Sequence, residues 1–175
     1  NDGNFCMDGL VYPDRRPHTG LLEFKNIYRP ARVTHYDQST GTLTLHNYMD
    51  FVDLTDYATL SYELNCDGQV VSAGSVPFPG GFRLPPHADG TLPLPLDVPA
   101  KGKCFVNICY HCKQDSALIK ADHLLGFDEI PLQNSDPRNQ DAVQLLGRPA
   151  GDGLITIRET DRMLVLSCEP VSYTH

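Results

Sequence analysis

The densest run of side chains able to do chemistry is Cys104, Cys109, His111 and Cys112. Thiolates and an imidazole are zinc ligands, and a structural zinc site needs four of them converging, usually as two pairs. Only one Cys-x-x-Cys is present, at 109–112. The run also lies in a strand pattern, where Cys109 and Cys112 point to opposite faces. Cys104 and Cys112 share a face with Val106, Ile108 and Tyr110, the setting of small apolar core thiols. A zinc domain built on Cys104–Cys112 stays an alternative to that core reading.

Glycoside hydrolysis needs two carboxylates, an acid and a nucleophile or base, at a set distance. The glutamates are Glu23, Glu63, Glu129, Glu159 and Glu169. Glu23 falls on a helical pattern and Glu63 alternates against Tyr62 and Leu64, so each reads as part of a solvated face. Asp128 and Glu129 are adjacent and diverge on a strand, and no catalytic pair emerges. Seven histidines are scattered and no Gly-x-Ser-x-Gly occurs, although a Ser-His-Asp set assembled by the fold stays open. No glycine-rich phosphate loop opens a helix; Pro79-Gly80-Gly81-Phe82 lies in a proline-rich stretch. A sugar-binding surface would want exposed flat aromatics. The chain has no Trp, and its Tyr and Phe fall mostly on predicted inward faces.

The elements that would carry these residues are mostly strands. Leu21, Phe24 and Tyr28 lie at helix spacing, with Thr19 as N-cap and Pro30 as stop, which predicts a short helix over 20–29. Strands are predicted at Ala31–Tyr36, Thr42–Tyr48, Thr59–Leu64, Gln69–Val76 and Lys103–Cys112, with one bent strand or two over Ala117–Ile130. Asp67-Gly68 is a hairpin turn between two of them. Residues 77–99 are proline-rich and read as a long loop or edge excursion. Seven or so short strands separated by turns predict an antiparallel sandwich. A polar linker, Asp136–Gln140, precedes further strands at Ala142–Leu146, Leu154–Arg158, Met163–Ser167 and Val171–Thr174.

A net charge of −8 with no basic stripe argues against nucleic acid. No apolar run reaches membrane-spanning length. Six cysteines in a chain large enough to fold without staples read as reduced, cytosolic thiols. The chain opens on Asn1 rather than Met, residues 1–20 look like a loop without a scaffold, and 142–175 look like a sheet without a partner. Both ends are expected to continue into other domains.

The front of the chain carries a sharper signal. Asn1 through His18 includes Phe5-Cys6-Met7-Asp8-Gly9-Leu10-Val11 and Asp14-Arg15-Arg16-Pro17-His18. It resembles the stretch that ends the catalytic barrel in the large bacterial β-galactosidases of glycoside hydrolase family two. Asp67-Gly68, Ala73-Gly74 and Pro95 through Gly102 are similar to the fourth domain of that family, and Leu154–His175 to the opening of its last domain. The resemblance implies a mainly β fold: an immunoglobulin-like antiparallel β-sandwich with one short N-terminal helix and a few extra C-terminal strands. It divides the chain into 1–20, the tail of the barrel; 21–134, the sandwich; and 135–175, linker and first strands of the C-terminal sandwich domain.

In function it implies a non-catalytic structural module of an enzyme that hydrolyses terminal β-D-galactosides with retention. The two family glutamates lie upstream of the motif, so no catalytic or cofactor-binding residue is expected here and the isolated chain is expected to be inactive. A family sodium ion implies two metal ligands, the main-chain carbonyl of Phe5 and the side chain of Asp8, where the family has Asn. No other cofactor is expected in this chain, with sodium, and magnesium elsewhere, belonging to the parent enzyme. The implied partners are the catalytic barrel and C-terminal sandwich of the same polypeptide, in a cytoplasmic homo-oligomer without nucleic acid or membrane. Against that family, the stretch from Pro77 to Pro93 looks long; it reads as a tolerated surface insertion rather than a lid or an oligomer contact. The alternative function is a stand-alone carbohydrate-binding or adhesive sandwich.

Overall fold

A computed structural model of the chain describes residues 9–136 throughout and the backbone of 156–160, 163–168 and 171–174. The elements, in chain order, are α1 (Thr19–Ile27), β1 (Ala31–Asp37), β2 (Thr42–Asn47), α2 (Leu54–Tyr57), β3 (Ala58–Cys66), β4 (Gln69–Val76), β5 (Asp89–Pro93), β6 (Cys104–Cys112), β7 (Leu124–Pro131), β8 (Thr156–Thr160), β9 (Met163–Cys168) and β10 (Val171–Thr174). Two units are distinct, 1–135 and 136–175.

Strict alternation makes β6 the centre of the first unit. Cys104, Val106, Ile108, Tyr110 and Cys112 are buried, and the residues between them are half-buried. A strand turns successive side chains to opposite faces, so this pattern lays one apolar face on a core. β6 pairs antiparallel with β3 on one side and β7 on the other, and β3 pairs with β4. The resulting sheet has the order β4-β3-β6-β7, and a second sheet has the order β1-β2-β5. Leu43 and Leu45 of β2 and Leu92 of β5 join Leu60 and Leu64 of β3 and the buried face of β6 in one cluster. These orders are those of an immunoglobulin-like sandwich whose fourth strand pairs with the third.

Asp67 and Gly68 both have positive φ, +49° and +79°, the type I′ geometry that suits the twist of β3 and β4. Asn47 is fully buried yet satisfied. Its amide donates to Val52 O and Leu84 O at 3.0 and 2.9 Å, and its Oδ1 accepts the Met49 N–H at 2.9 Å.

Three expectations are corrected. The helix begins at Thr19, and the residue preceding it is His18, whose side chain makes no cap bond. Residues 117–123 are loop and only Leu124–Pro131 is strand, because Ser116 and Asp115 divert the backbone: Ser116 Oγ accepts the N–H groups of Leu118 and Ile119, and Asp115 that of Ala121. The proline-rich stretch does not lie wholly on the surface. Leu84, Leu92 and Leu94 are core residues, Phe78 and Phe82 stack at 5.7 Å between centroids, and β5 completes the smaller sheet. Prolines there occupy an edge strand and its approaches, where no ladder donor is required.

In the second unit β8, β9 and β10 form an antiparallel meander in the order β10-β9-β8. The predicted strand at Ala142–Leu146 lies outside the described residues. No helix among the described residues is long and apolar enough to cross a membrane.

Candidate functional site

Phe5 and Asp8, the two residues assigned to a metal by resemblance, lie outside the described residues. The chain behind them closes a small loop. Tyr12 N–H donates to Arg16 O at 2.8 Å, His18 N–H to Leu10 O at 3.0 Å, and Val11 bridges Pro17. That loop delivers the chain to α1.

α1 buries none of its own residues, so something other than a core face must hold it. Asn26 Oδ1 accepts the Phe127 N–H of β7 at 2.8 Å, and Lys25 Nζ lies 3.2 Å from His123 Nε2. Arg29, just past the helix, pairs with Asp128 of β7, with side chains 13% and 12% exposed. Asp128 also accepts Tyr110 OH at 2.6 Å and the Val33 N–H at 2.9 Å. One carboxylate therefore joins the helix end, β1, β6 and β7. Burial, then the neighbouring Asp128 charge, pushes the Tyr110 hydroxyl well above its ordinary range, so it stays a donor. Gly126 makes the close approach feasible: a Cβ there would stand 2.7 Å from Arg29 Cβ and 2.9 Å from Asn26 Oδ1.

Anchored by polar bonds, α1 leaves its apolar side chains open. Leu22, Phe24, Ile27 and Tyr28 are exposed, Tyr28 to 76%. Two adjoining hollows run along this helix, of about 490 and 410 Å³. The first is lined by Pro17, Leu21, Leu22, Phe24 and Tyr28, the second by Tyr28, Met49, Tyr57, Ile119 and Leu125 among others. Most of the described Tyr and Phe lie inward or half-buried, as expected, with Tyr36, Tyr57, Tyr62, Phe78, Phe82 and Tyr110 in or against the core; Phe24 and Tyr28 are exceptions. Tyr48 and Phe127 are also exposed, and Phe51 is 93% exposed, because these rings sit on loops, the helix and the outer sheet face.

The outer face of the larger sheet brings together a set left open by the sequence. Ser61 Oγ lies 2.9 Å from His111 Nε2, and His111 Nδ1 lies 3.5 Å from Asp122 Oδ1. The order is that of a hydrolytic triad, but its setting is not. Ser61 is in a strand paired on both sides, so neighbouring N–H groups are spent on the ladder rather than forming an oxyanion hole. Asp122 is 92% exposed and at 3.5 Å orients the imidazole weakly. Glu63 and Glu129 also share this face, one on each side of Asn107, with no walls to raise an acid.

Cys104 and Cys112 lie inward, as expected, and sit at opposite ends of β6, roughly 27 Å apart at ~3.4 Å per residue. That separation rules out a shared zinc site with Cys109. Among the described residues no three His, Cys, Asp or Glu side chains converge as a metal cage. A further hollow of about 510 Å³ is lined by residues including His35, Asp37 and Ser39. There hydrogen bonds from Ser39 and Thr40 hold the Asp37 carboxyl down to about 2, and they occupy it with its own turn.

Sequence reasoning passed over Asn26 and Arg29, and weighed Asp128 only as a catalytic carboxylate. Arg29 and Asp128 lie far apart in the chain, and the docking of the end of α1 on β7 brings them together.

The chain is 42% identical over 132 residues to a beta-galactosidase of Actinobacillus pleuropneumoniae, covering 75% of this chain and 12% of that protein. It is 29% identical over 171 residues to one of Staphylococcus xylosus, covering 95% and 16%. With a beta-galactosidase of Arthrobacter sp. (strain B7) it shares 30% identity over 141 residues, covering 78% and 14%. The chain thus spans 12–16% of the length of these relatives. Residues 43–133, which run from the second residue of β2 past the end of β7 and make up more than half of the chain, match the family described as beta-galactosidase, domain 4, and the chain belongs to that family.

Proposed function

We propose that this chain is a non-catalytic structural module of a β-galactosidase that hydrolyses terminal β-D-galactosides, linking the catalytic barrel to the C-terminal domain. The observation that carries the proposal is α1: a helix fixed to β7 by Asn26 and Arg29 while Leu22, Phe24, Ile27 and Tyr28 stay open. Apolar side chains grouped on one exposed element mark a surface for another body. The partner proposed is the barrel of the same polypeptide, because the segment resembling its tail leads directly into this helix.

In that reading residues 1–20 close the barrel, 21–134 form the spacer, and 135–175 open the last domain. Catalysis belongs to glutamates elsewhere in the polypeptide. Phe5, through its main-chain carbonyl, and Asp8, through its carboxylate, are the proposed oxygen ligands of a sodium ion, since hard cations accept both donor types. The parent is proposed to be a cytoplasmic homo-oligomer.

Two measurements test the module. The isolated chain is expected to show no turnover of an aryl β-galactoside above a mock preparation. In the full-length enzyme, Phe24→Asp with Tyr28→Asp is expected to lower the temperature at which activity is lost while leaving kcat at low temperature unchanged. Thermal inactivation identical to the parent would remove the docking role.

A further inference from the structure

Cys66 and Cys104 are direct partners at the end of the β3–β6 ladder. The pair next to them sets their spacing. Asp67 N–H donates to Lys103 O at 3.0 Å and Lys103 N–H donates to Asp67 Oδ1 at 2.8 Å, so 67 and 103 close the ladder at a hydrogen-bonded step. Cys66 and Cys104, one step along, form the non-hydrogen-bonded kind of antiparallel pair, with Cα atoms about 4.5 Å apart and side chains at their closest. That spacing falls within the range a disulfide spans.

The side chains use it. The Cys104 thiol donates to Cys66 Sγ at 2.7 Å, and the Cys66 thiol donates to Lys101 O at 3.2 Å. Asn134 Nδ2 lies 3.6 Å from Cys104 Sγ and also donates to Pro99 O and Gly102 O, at 3.0 and 2.8 Å, which fixes the loop over the sulfurs. Gly102 has φ +97°, and a Cβ there would stand 2.4 Å from Cys66 Sγ, so this position tolerates only glycine while the thiols are in place. Cys104 is buried and Cys66 is partly open, an arrangement with one accessible sulfur and one resolving sulfur.

We propose that Cys66 and Cys104 are a dithiol modification site that closes to a cross-strand disulfide by exchange with a small-molecule disulfide. The Cys66 thiolate attacks one sulfur of the reagent, forming a mixed disulfide and releasing one small thiolate. Cys104 then attacks Cys66 Sγ, loses its proton to solvent and expels the second thiolate. The protein gives up two electrons and two protons, and the reagent is reduced to two thiols. Burial, followed by the Cys66 contact, pushes the Cys104 thiol up to about 11, so Cys66, the more open of the two, attacks first.

The test uses the whole native chain and oxidised glutathione, followed by alkylation, digestion and mass spectrometry. The expected result is a chain lighter by two hydrogens, with two of its six thiols lost to alkylation. A peptide joining Cys66 to Cys104 is expected, and dithiothreitol should restore both thiols. Three results would each overturn the proposal: both cysteines still fully alkylated, a lasting glutathione adduct on Cys66, or either cysteine linked to a different partner.

Discussion

Asp128→Ala is the sharpest test of how the helix is held. The carboxylate accepts from Arg29, the Val33 N–H and the Tyr110 hydroxyl. Removing it leaves two neutral donors without an acceptor, at about 1–3 kcal/mol each where they stay dry. It also leaves a guanidinium 13% exposed whose Nε has no hydrogen-bond partner among the described residues. Breaking a buried pair from one side costs ~3–5 kcal/mol, and Arg29 sits near enough to the surface to favour the lower half of that range. For a chain of this size the midpoint of thermal unfolding should fall by roughly 6–16 °C, at 2–4 °C per kcal/mol. Urea unfolding followed by circular dichroism would measure the free energy. A double-mutant cycle with Arg29→Met and Asp128→Asn would isolate the pair, with an expected coupling of about 1 kcal/mol or more. A cost below ~0.5 kcal/mol for Asp128→Ala, or strict additivity in the cycle, would mean that the pair behaves as an ordinary surface ion pair and that α1 is held by something else.

Leu84→Ala removes a fully buried side chain of the proline-rich segment and should cost ~2–5 kcal/mol in the same urea assay; a surface-loop cost under ~0.5 kcal/mol would contradict the core assignment. Gly126→Ala puts a methyl 2.7 Å from Arg29 Cβ, so α1 should lift from β7, read as faster amide exchange at Phe127 with the core strands unchanged. Burial pushes the Asp53 carboxyl up, but bonds from Thr55 and Leu84 and the charge of Arg83 outweigh it and hold it below its ordinary value. A depressed carboxyl stabilises the fold above its unfolded value near 4 and loses that contribution as pH falls through the folded value. The stability gap between the parent and Asp53→Asn should therefore be full at neutral pH and shrink below about pH 4; a gap independent of pH would remove Asp53 as the source.

Alternation made β6 and the β3–β4 hairpin readable, since a period of two and an Asp-Gly turn are local signals. The same reasoning placed Cys104 and Cys112 in the core. Over 77–99 the reading as a loop or edge excursion holds, since β5 is an edge strand, but the burial of Leu84, Leu92 and Leu94 was not legible among the prolines. A segment that alternates weakly between prolines gives no period to read, and its place comes from pairing with β2, more than forty residues earlier. Sequence reasoning failed at Ala117–Ile130 because Asp115 and Ser116 cap backbone groups locally, a competition that apolar content does not reveal. The Arg29–Asp128 pair and the Cys66–Cys104 contact were equally hidden. Each depends on strand register, which sequence spacing alone does not fix.

The order in which β3 and β6 leave the ribosome carries a cost of its own. β3 is the middle of the larger sheet, yet its inner partner ends at Cys112, after β4, the proline-rich segment and β5. At 5–20 residues per second, the nascent chain shows the leucine face of β3 to water for roughly 2–9 s before β6 emerges. Pairings this distant also place the fold among the slower single domains, in the millisecond-to-second range once the chain is complete. Variants that slow the elongation of residues 67–104 lengthen that exposure and should lower soluble yield without changing the stability of the finished protein.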